Sequence, residues 1–216
     1  MVDGSRLKIL EILQRNPDPT VHSLAAILGL APATIRRHLD ILQRDDLVSS
    51  HILRRKAGRP TYVYSLTELG EAHLHKDYQS LLAMLLQQIE GLSTSELKSQ
   101  GDEQKLTEVL FARMGQEVAR GHLTGFEGNS VSERRKVLLG ILGKEHFAPE
   151  AEEAPGGTVI KLYNCPFRST ALGYPSVCNY DEHLISSVMN SPVLRQQWIT
   201  QGDRICTYLM PARKSS

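Results

Sequence analysis

Every cysteine of this 216-residue chain lies in its last quarter: Cys165, Cys178 and Cys206. Twelve residues separate the first two and twenty-seven the last two, so no helical turn or C-x-x-C knuckle supplies neighbouring ligands. Folding has to bring them together. Three thiols so confined read as ligands, as redox thiols or as plain core residues. An odd number in a chain expected to be cytoplasmic argues against structural disulfides. Zinc fits poorly, because structural zinc sites favour four ligands in closely spaced pairs. An iron–sulfur cluster is held by cysteine thiolates and is large enough to collect them from separate elements. A proline after a ligand cysteine recurs in such sites, as in Asn164-Cys165-Pro166 here. Hydrolase chemistry has little support, since no base is tied to a cysteine by a recognisable motif and His183 alone reads as a surface helix residue. The chain is not expected to be an enzyme.

The elements that must position these thiols can be read around them. The stretch 158–163 alternates as a strand and delivers Cys165 at its end. Cys178 opens a helical pattern through Leu184, Ile185 and Val188, and Gly202-Asp203 turns into a strand over 205–210 that carries Cys206. If Cys178 opens a helix, Asp181 and Glu182, three and four residues on, share its face and could reach an open iron, while His183 is rotated away. The competing reading makes both carboxylates solvent-facing acids that favour the helix dipole. Upstream, the acidic, turn-rich stretch 150–157 reads as a separator.

Before that separator the pattern is helical. From Thr67 a long helix is expected, with Leu81, Leu82, Leu85, Leu86, Ile89 and Leu92 as an apolar stripe too broad for a solvated linker. It packs on its own body or, as favoured here, forms a dimer seam around Leu81, Leu85 and Ile89. Ser93 and Glu96 have capping-box spacing ahead of a short helix ended by Gly101. Leu106, Val109, Leu110, Met114 and Val118 mark another helix closing near Gly121. Ser130 and Glu133 repeat the capping box before Val137, Leu138, Ile141 and Leu142.

The N-terminal third has a different character. Leu7, Leu10 and Leu13 give a first helical face, flanked by Ile9 and Ile12, up to Asn16-Pro17. A second helix carries Leu24, Ile27 and Leu28 and ends at Gly29, with Leu30 expected to plug the turn. Pro32 opens a third, with Ile35, Leu39 and Leu42 inward and Ala33, Thr34, Arg36, Arg37 and Asp40 outward. The segments Val48–Leu53 and Thr61–Leu66 read as a hairpin whose tip displays Arg54, Arg55, Lys56 and Arg59. Helix, tight turn, basic helix and cationic hairpin in that order make a winged helix-turn-helix. Arg36 and Arg37 are placed for base or phosphate contacts in double-stranded operator DNA, and the wing cations for the phosphate backbone or minor groove. The whole chain has a formal charge of +1, yet residues 31–66 hold seven cations against three acids, a basic module on an acidic body. No stretch approaches a membrane span.

Taken together these readings give a mainly α chain with small β elements, divided into a winged helix-turn-helix at 1–66, a helical dimerisation region at 67–149 and an α+β cysteine-bearing domain at 150–216. The chain resembles, nearly end to end, the iron–sulfur-dependent winged-helix repressors of the Suf cluster-assembly operon, of the cyanobacterial type. The resemblance rests on Leu28-Gly-Leu-Ala-Pro-Ala-Thr-Ile-Arg-Arg-His-Leu39, Gly58-Arg-Pro60 followed by Tyr64-Ser-Leu-Thr-Glu-Leu-Gly70, Asn164-Cys-Pro-Phe167, the cysteine spacing, and Gly202-Asp-Arg-Ile-Cys206. It implies a cytoplasmic homodimer with one [4Fe-4S] cluster per subunit on Cys165, Cys178 and Cys206, which represses when loaded and releases DNA when the cluster is lost. A four-cysteine pattern occurs in the family. This chain lacks the fourth, leaving Asp181, Glu182 or a small external ligand. The alternative is a winged-helix regulator that responds to thiol oxidation or to a small ligand without a cluster.

Overall fold

The computed structural model describes residues 4–16, 18–53, 60–93, 103–124 and 130–212. The chain divides into two units, 1–75 and 76–216. The sequence pattern predicts three segments, with boundaries after 66 and 149. The helices after residue 76 instead bury their apolar faces in the same core as the cysteine-bearing elements, so they have no core of their own.

In the first unit, α1 (Gly4–Arg15), α2 (Val21–Leu28) and α3 (Pro32–Arg44) enclose Ile9, Leu10, Leu13, Leu24, Ile35, Leu39 and Leu42. The inward face of α1 is rotated from the expected one: Ile9 is buried and Leu7 exposed. Thr20 and Ser23 form a reciprocal capping box at the start of α2, satisfying backbone donors that the first turn leaves open. Gly29 ends α2 at φ 66°, a left-handed conformation that glycine adopts without a Cβ penalty, so α3 can start three residues on. Leu30 does not plug the turn; it and Ile27 stay exposed. Strands β1 (Val48–Leu53) and β2 (Thr61–Leu66) pair antiparallel, with Val48 opposite Leu66. The wing is tied to the helices by a bridge from Thr20 to Val63 and by the Tyr64 amide, which donates to the Pro19 carbonyl at 3.1 Å.

The long helix expected from Thr67 is broken. Thr67 caps a short α4 (Glu68–His73), Leu74 turns extended at ψ 162° with its side chain in the N-terminal core, and Asp77 caps a new helix, α5 (Tyr78–Glu90), by accepting the Ser80 amide. Burying Leu74 and capping a fresh N-terminus outweigh continuing one helix through 74–77. The expected Ser93 to Gly101 helix lies outside the described residues.

The second unit packs α5, α6 (Glu103–Leu123) and α7 (Val131–Lys144, with the Ser130/Glu133 capping box) around a four-stranded antiparallel sheet and α9 (Asn179–Met189). The strands are β3 (Pro149–Ala154), β4 (Gly157–Leu162), β5 (Leu194–Gln197) and β6 (Cys206–Pro211), in the order β3-β4-β6-β5. The acidic 150–157 stretch is therefore half of a hairpin and not a separator. Its glutamates have the composition of a solvated loop, but β4 supplies the ladder and Lys161 pairs with Glu152 at 2.7 Å. A short α8 (Arg168–Gly173) and a 3-10 turn, Pro175–Cys178, lead into α9. The core centres on Phe147, Tyr180, Leu184, Ile185, Val188 and Tyr208. Among the described residues no helix is long and apolar enough to cross a membrane.

Candidate functional site

Two arrangements could do chemistry. On α3, Ile35, Leu39 and Leu42 are buried, and the opposite face exposes Ala33, Thr34, Arg36, Arg37 and Asp40. That is the face expected to enter a groove, held from behind by the α1–α2 core. The wing cations Arg54, Arg55, Lys56 and Arg59 lie outside the described residues.

The second arrangement is the thiol site, and strand topology explains it. Because β4 and β6 run antiparallel with Leu162 opposite Cys206, the exit of β4 lies beside the entry of β6. Cys165 follows three residues after Leu162. Cys178, the last residue of the 3-10 turn and the N-cap of α9, comes to the same end, held there by Arg195 of β5, whose guanidinium donates to the Cys178 carbonyl at 2.7 Å. All three are free thiols, and together with Asp181, Asn164, Phe147, Phe167 and Ile199 they line one cavity. That cavity is closed to about 10 Å³, room for about one water. Among the described residues no group of three or more His, Cys, Asp and Glu side chains is placed to hold a single metal ion.

Burial pushes each thiol up, and the nearby Asp181 charge adds to it: Cys178 to about 11, Cys206 to about 12, and Cys165 further still. Against this, two of the sulfurs have a backbone N–H donor. The Phe167 amide serves Cys165 and the Ile199 amide serves Cys206 at 3.5 Å. The indole N–H of Trp198 is buried beside the Cys178 sulfur and makes no hydrogen bond among the described residues. Donors aimed at sulfur suit thiolates, which carry charge, better than neutral thiols.

The two acids after Cys178 part company. Asp181 is buried, faces the cavity and accepts the Tyr208 hydroxyl at 2.5 Å; burial raises its pKa to about 6, opposed by the charge of Arg195 and by Tyr208. Glu182 instead takes the Arg195 guanidinium at 2.6 Å. His183 points to Gln116, 3.4 Å away, as its rotation on the helix requires. Trp198 and Arg195, stacked with 4.2 Å from guanidinium to ring centroid, carry no mark in the sequence that ties them to the thiols. Their polar neighbours in 194–197 give no strand signal to place them.

The donor set would suit an iron–sulfur cluster in kind: three cysteine sulfurs, backbone N–H groups at two of them and one buried carboxylate. Its volume does not accommodate one as it stands. A cluster would be held there only with the Cys165 loop, the start of α9 and the start of β6 further apart than they stand.

Residues 3–50 match the family described as bacterial regulatory protein, arsR family. No curated protein matches the chain. Among solved structures, a double mutant of Lactococcus lactis ZitR is similar at 20% identity over 45% of this chain and 67% of its own, with a TM-score of 0.28. Bacillus subtilis PadR in complex with operator DNA is similar at 18% identity over 65% of this chain and 90% of its own, with a TM-score of 0.29. Superpositions that loose carry no argument about the remainder of the chain. The family match and the geometry of α2, Gly29, α3 and the β1–β2 wing agree: the N-terminal unit is a winged helix-turn-helix domain, similar over residues 3–50 to the DNA-binding regulators of that family.

Proposed function

We propose that the chain is a homodimeric repressor whose operator affinity is controlled by a [4Fe-4S] cluster on Cys165, Cys178 and Cys206, acting on cluster-assembly genes as its resemblance implies. The observation that carries this reading is the convergence of all three thiols and Asp181 on one cavity, with backbone N–H donors at Cys165 and Cys206. A cluster would supply there a bridge between three elements that is lost on oxidation or iron starvation. Cys165 anchors the loop after β4, Cys178 the start of α9 and Cys206 the start of β6. Asp181 is the side chain positioned for a fourth, exchangeable ligand; Glu182 is not, because Arg195 holds it. Raised, buried thiols react slowly with oxidants, which favours this reading over a cluster-free redox switch.

A dimer seam on α5 would use other residues than those expected. Leu81 is buried within its own unit and Leu85 packs beside that core, whereas Leu82, Leu86 and Ile89 stand 57%, 50% and 48% exposed along one side of α5. Their 4-then-3 spacing is that of a helix-pairing stripe, and a second copy of α5 is the partner that a two-fold operator requires.

The test is anaerobic purification followed by operator binding at one salt concentration, with the protein loaded and then stripped by a chelator. The expected result is a brown protein with broad visible absorption and a drop of about a hundredfold in affinity on stripping, about 2.7 kcal/mol of coupling. Equal affinities in the two states sink the switch.

A further inference from the structure

We infer that the loop 163–167 is a lid on the thiol cavity and that Lys76 and Asp77, at the head of α5, are the latch that keeps it shut. The proposal rests on the cluster reading above for what the opening admits, but not for its test. Three cysteines and Asp181 line a cavity of about 10 Å³, so anything larger than a water enters only if a wall moves. Two of the cysteines have little freedom. Cys206 begins β6, which is paired on one side to β4 and on the other to β5. Cys178 stands at the head of α9, whose Tyr180, Leu184, Ile185 and Val188 are fully buried, and Arg195 holds its carbonyl. Cys165 differs from both. It lies between the end of β4 and the start of α8, in no helix or strand, and is the one of the three that is not fully buried.

The loop is pinned at two points and latched between them, all within the unit 76–216. At its start the Asn164 backbone amide donates to the Phe147 carbonyl at 3.0 Å and its side-chain amide to the His146 carbonyl at 2.6 Å. At its end the Phe167 ring packs edge-on against Phe147 and Tyr180, with centroids 5.9 and 5.7 Å apart. Cys165 and Pro166 lie between these pins, and the head of α5 takes both of their carbonyls. The Lys76 ammonium donates to the Cys165 carbonyl at 3.1 Å and to the Asn164 side-chain oxygen at 3.0 Å; the Asp77 amide donates to the Pro166 carbonyl at 3.2 Å. Just beyond, the Tyr78 and Ser169 hydroxyls meet at 2.6 Å. The Arg168 amide also reaches the Cys165 carbonyl, at 3.3 Å, within the loop's own turn. Lys76 is half-buried and Tyr78 and Ser169 are exposed, so water can replace these bonds at small net cost. Moving Cys206 or Cys178 would instead break a strand ladder or uncover a buried helix. The Cys165–Pro166 segment is therefore the wall that gives. Shut, it keeps thiol-reactive solutes from the cysteines; open, it gives iron and sulfide a way in.

The test needs no cluster. The full chain is stripped and kept reduced, and alkylation of each cysteine by iodoacetamide is followed by peptide mass spectrometry, with the same variant in denaturant as the reference for intrinsic reactivity. Lys76→Met keeps the apolar stem, removes the ammonium, and leaves Asp77 and its cap on α5 untouched. Combined with Tyr78→Phe it removes the side-chain part of the latch. In the double variant Cys165 should be alkylated about tenfold faster than in wild type, about 1.4 kcal/mol in the opening equilibrium, while Cys206 should change by less than about twofold. Tyr78→Phe alone, which removes one exposed hydroxyl, is a second and milder variant whose Cys165 rate should fall in between. An unchanged Cys165 rate in the double variant overturns the latch. An equal rise at all three cysteines is general loosening and overturns the lid. Colour tests the cluster reading separately: a colourless wild type after anaerobic purification overturns that reading and leaves the alkylation rates to decide the lid.

Discussion

Asp181 and Trp198 set the character of the thiol site more than the cysteines do. In the stripped protein Asp181 has a pKa of about 6, above its ordinary 3.8, so the folded state prefers it protonated. The stability that this preference confers is complete below the ordinary value and is lost as pH rises through about 6. Between about pH 4 and pH 7 the stripped chain should lose on the order of 2–3 kcal/mol from this group. Asp181→Asn should flatten that slope in denaturant titrations, and an unchanged slope would show that the carboxylate is not held as described. Trp198→Phe keeps a ring beneath Arg195 but removes the buried indole N–H beside Cys178. It should still load, and lose its visible absorption to a chelator about tenfold faster. Replacing Cys165, Cys178 or Cys206 by Ser should abolish the absorption outright. The thiols are legible in the sequence because their type and confinement speak for themselves. The choice between Asp181 and Glu182 is not, because helical spacing puts both near Cys178. Arg195, which decides between them, sits on a strand with no alternating pattern.

Elements with an apolar period can be read closely: α3, the wing strands and α7 lie where the spacing puts them. The failures share a cause. The break at Leu74, strand β3 with its three glutamates and the polar β5 are fixed by partners distant in sequence, which local propensity does not see. The same holds for Gly115 of α6, where a Cβ would overlap the carbonyl oxygen of Tyr180 on α9. Glycine there lets the two helices touch backbone to backbone, just two residues after Cys178. Gly115→Val should cost about 1–3 kcal/mol or more by forcing them apart, and should reduce cluster loading with no ligand altered. On α5, Leu82→Glu with Leu86→Glu should give a folded monomer by sedimentation that binds operator poorly. A wild-type monomer at micromolar concentration would remove the seam altogether.

Across the molecule the charge is divided: residues 31–66 carry +4 in a chain whose formal total is +1. Binding to DNA should accordingly weaken steeply with salt. Arg54→Ala with Arg55→Ala should flatten the log–log slope by about one to two and weaken operator and random duplex alike. Arg36→Ala or Arg37→Ala, on the exposed face of α3, should instead reduce base discrimination by about 1–3 kcal/mol for each bidentate hydrogen-bond pair to a base that the substitution removes. Strand β3 contributes to the acidic side of that balance, and its place in the sheet gives its glutamates a further consequence. It is an outermost strand, paired on one side only, and an open strand of neutral residues is a template for growth into aggregates. Glu150, Glu152 and Glu153 line that rim with charged side chains, Glu152 and Glu153 paired with Lys161 and Arg135, so a second copy adding a strand there would have to bury ionised groups.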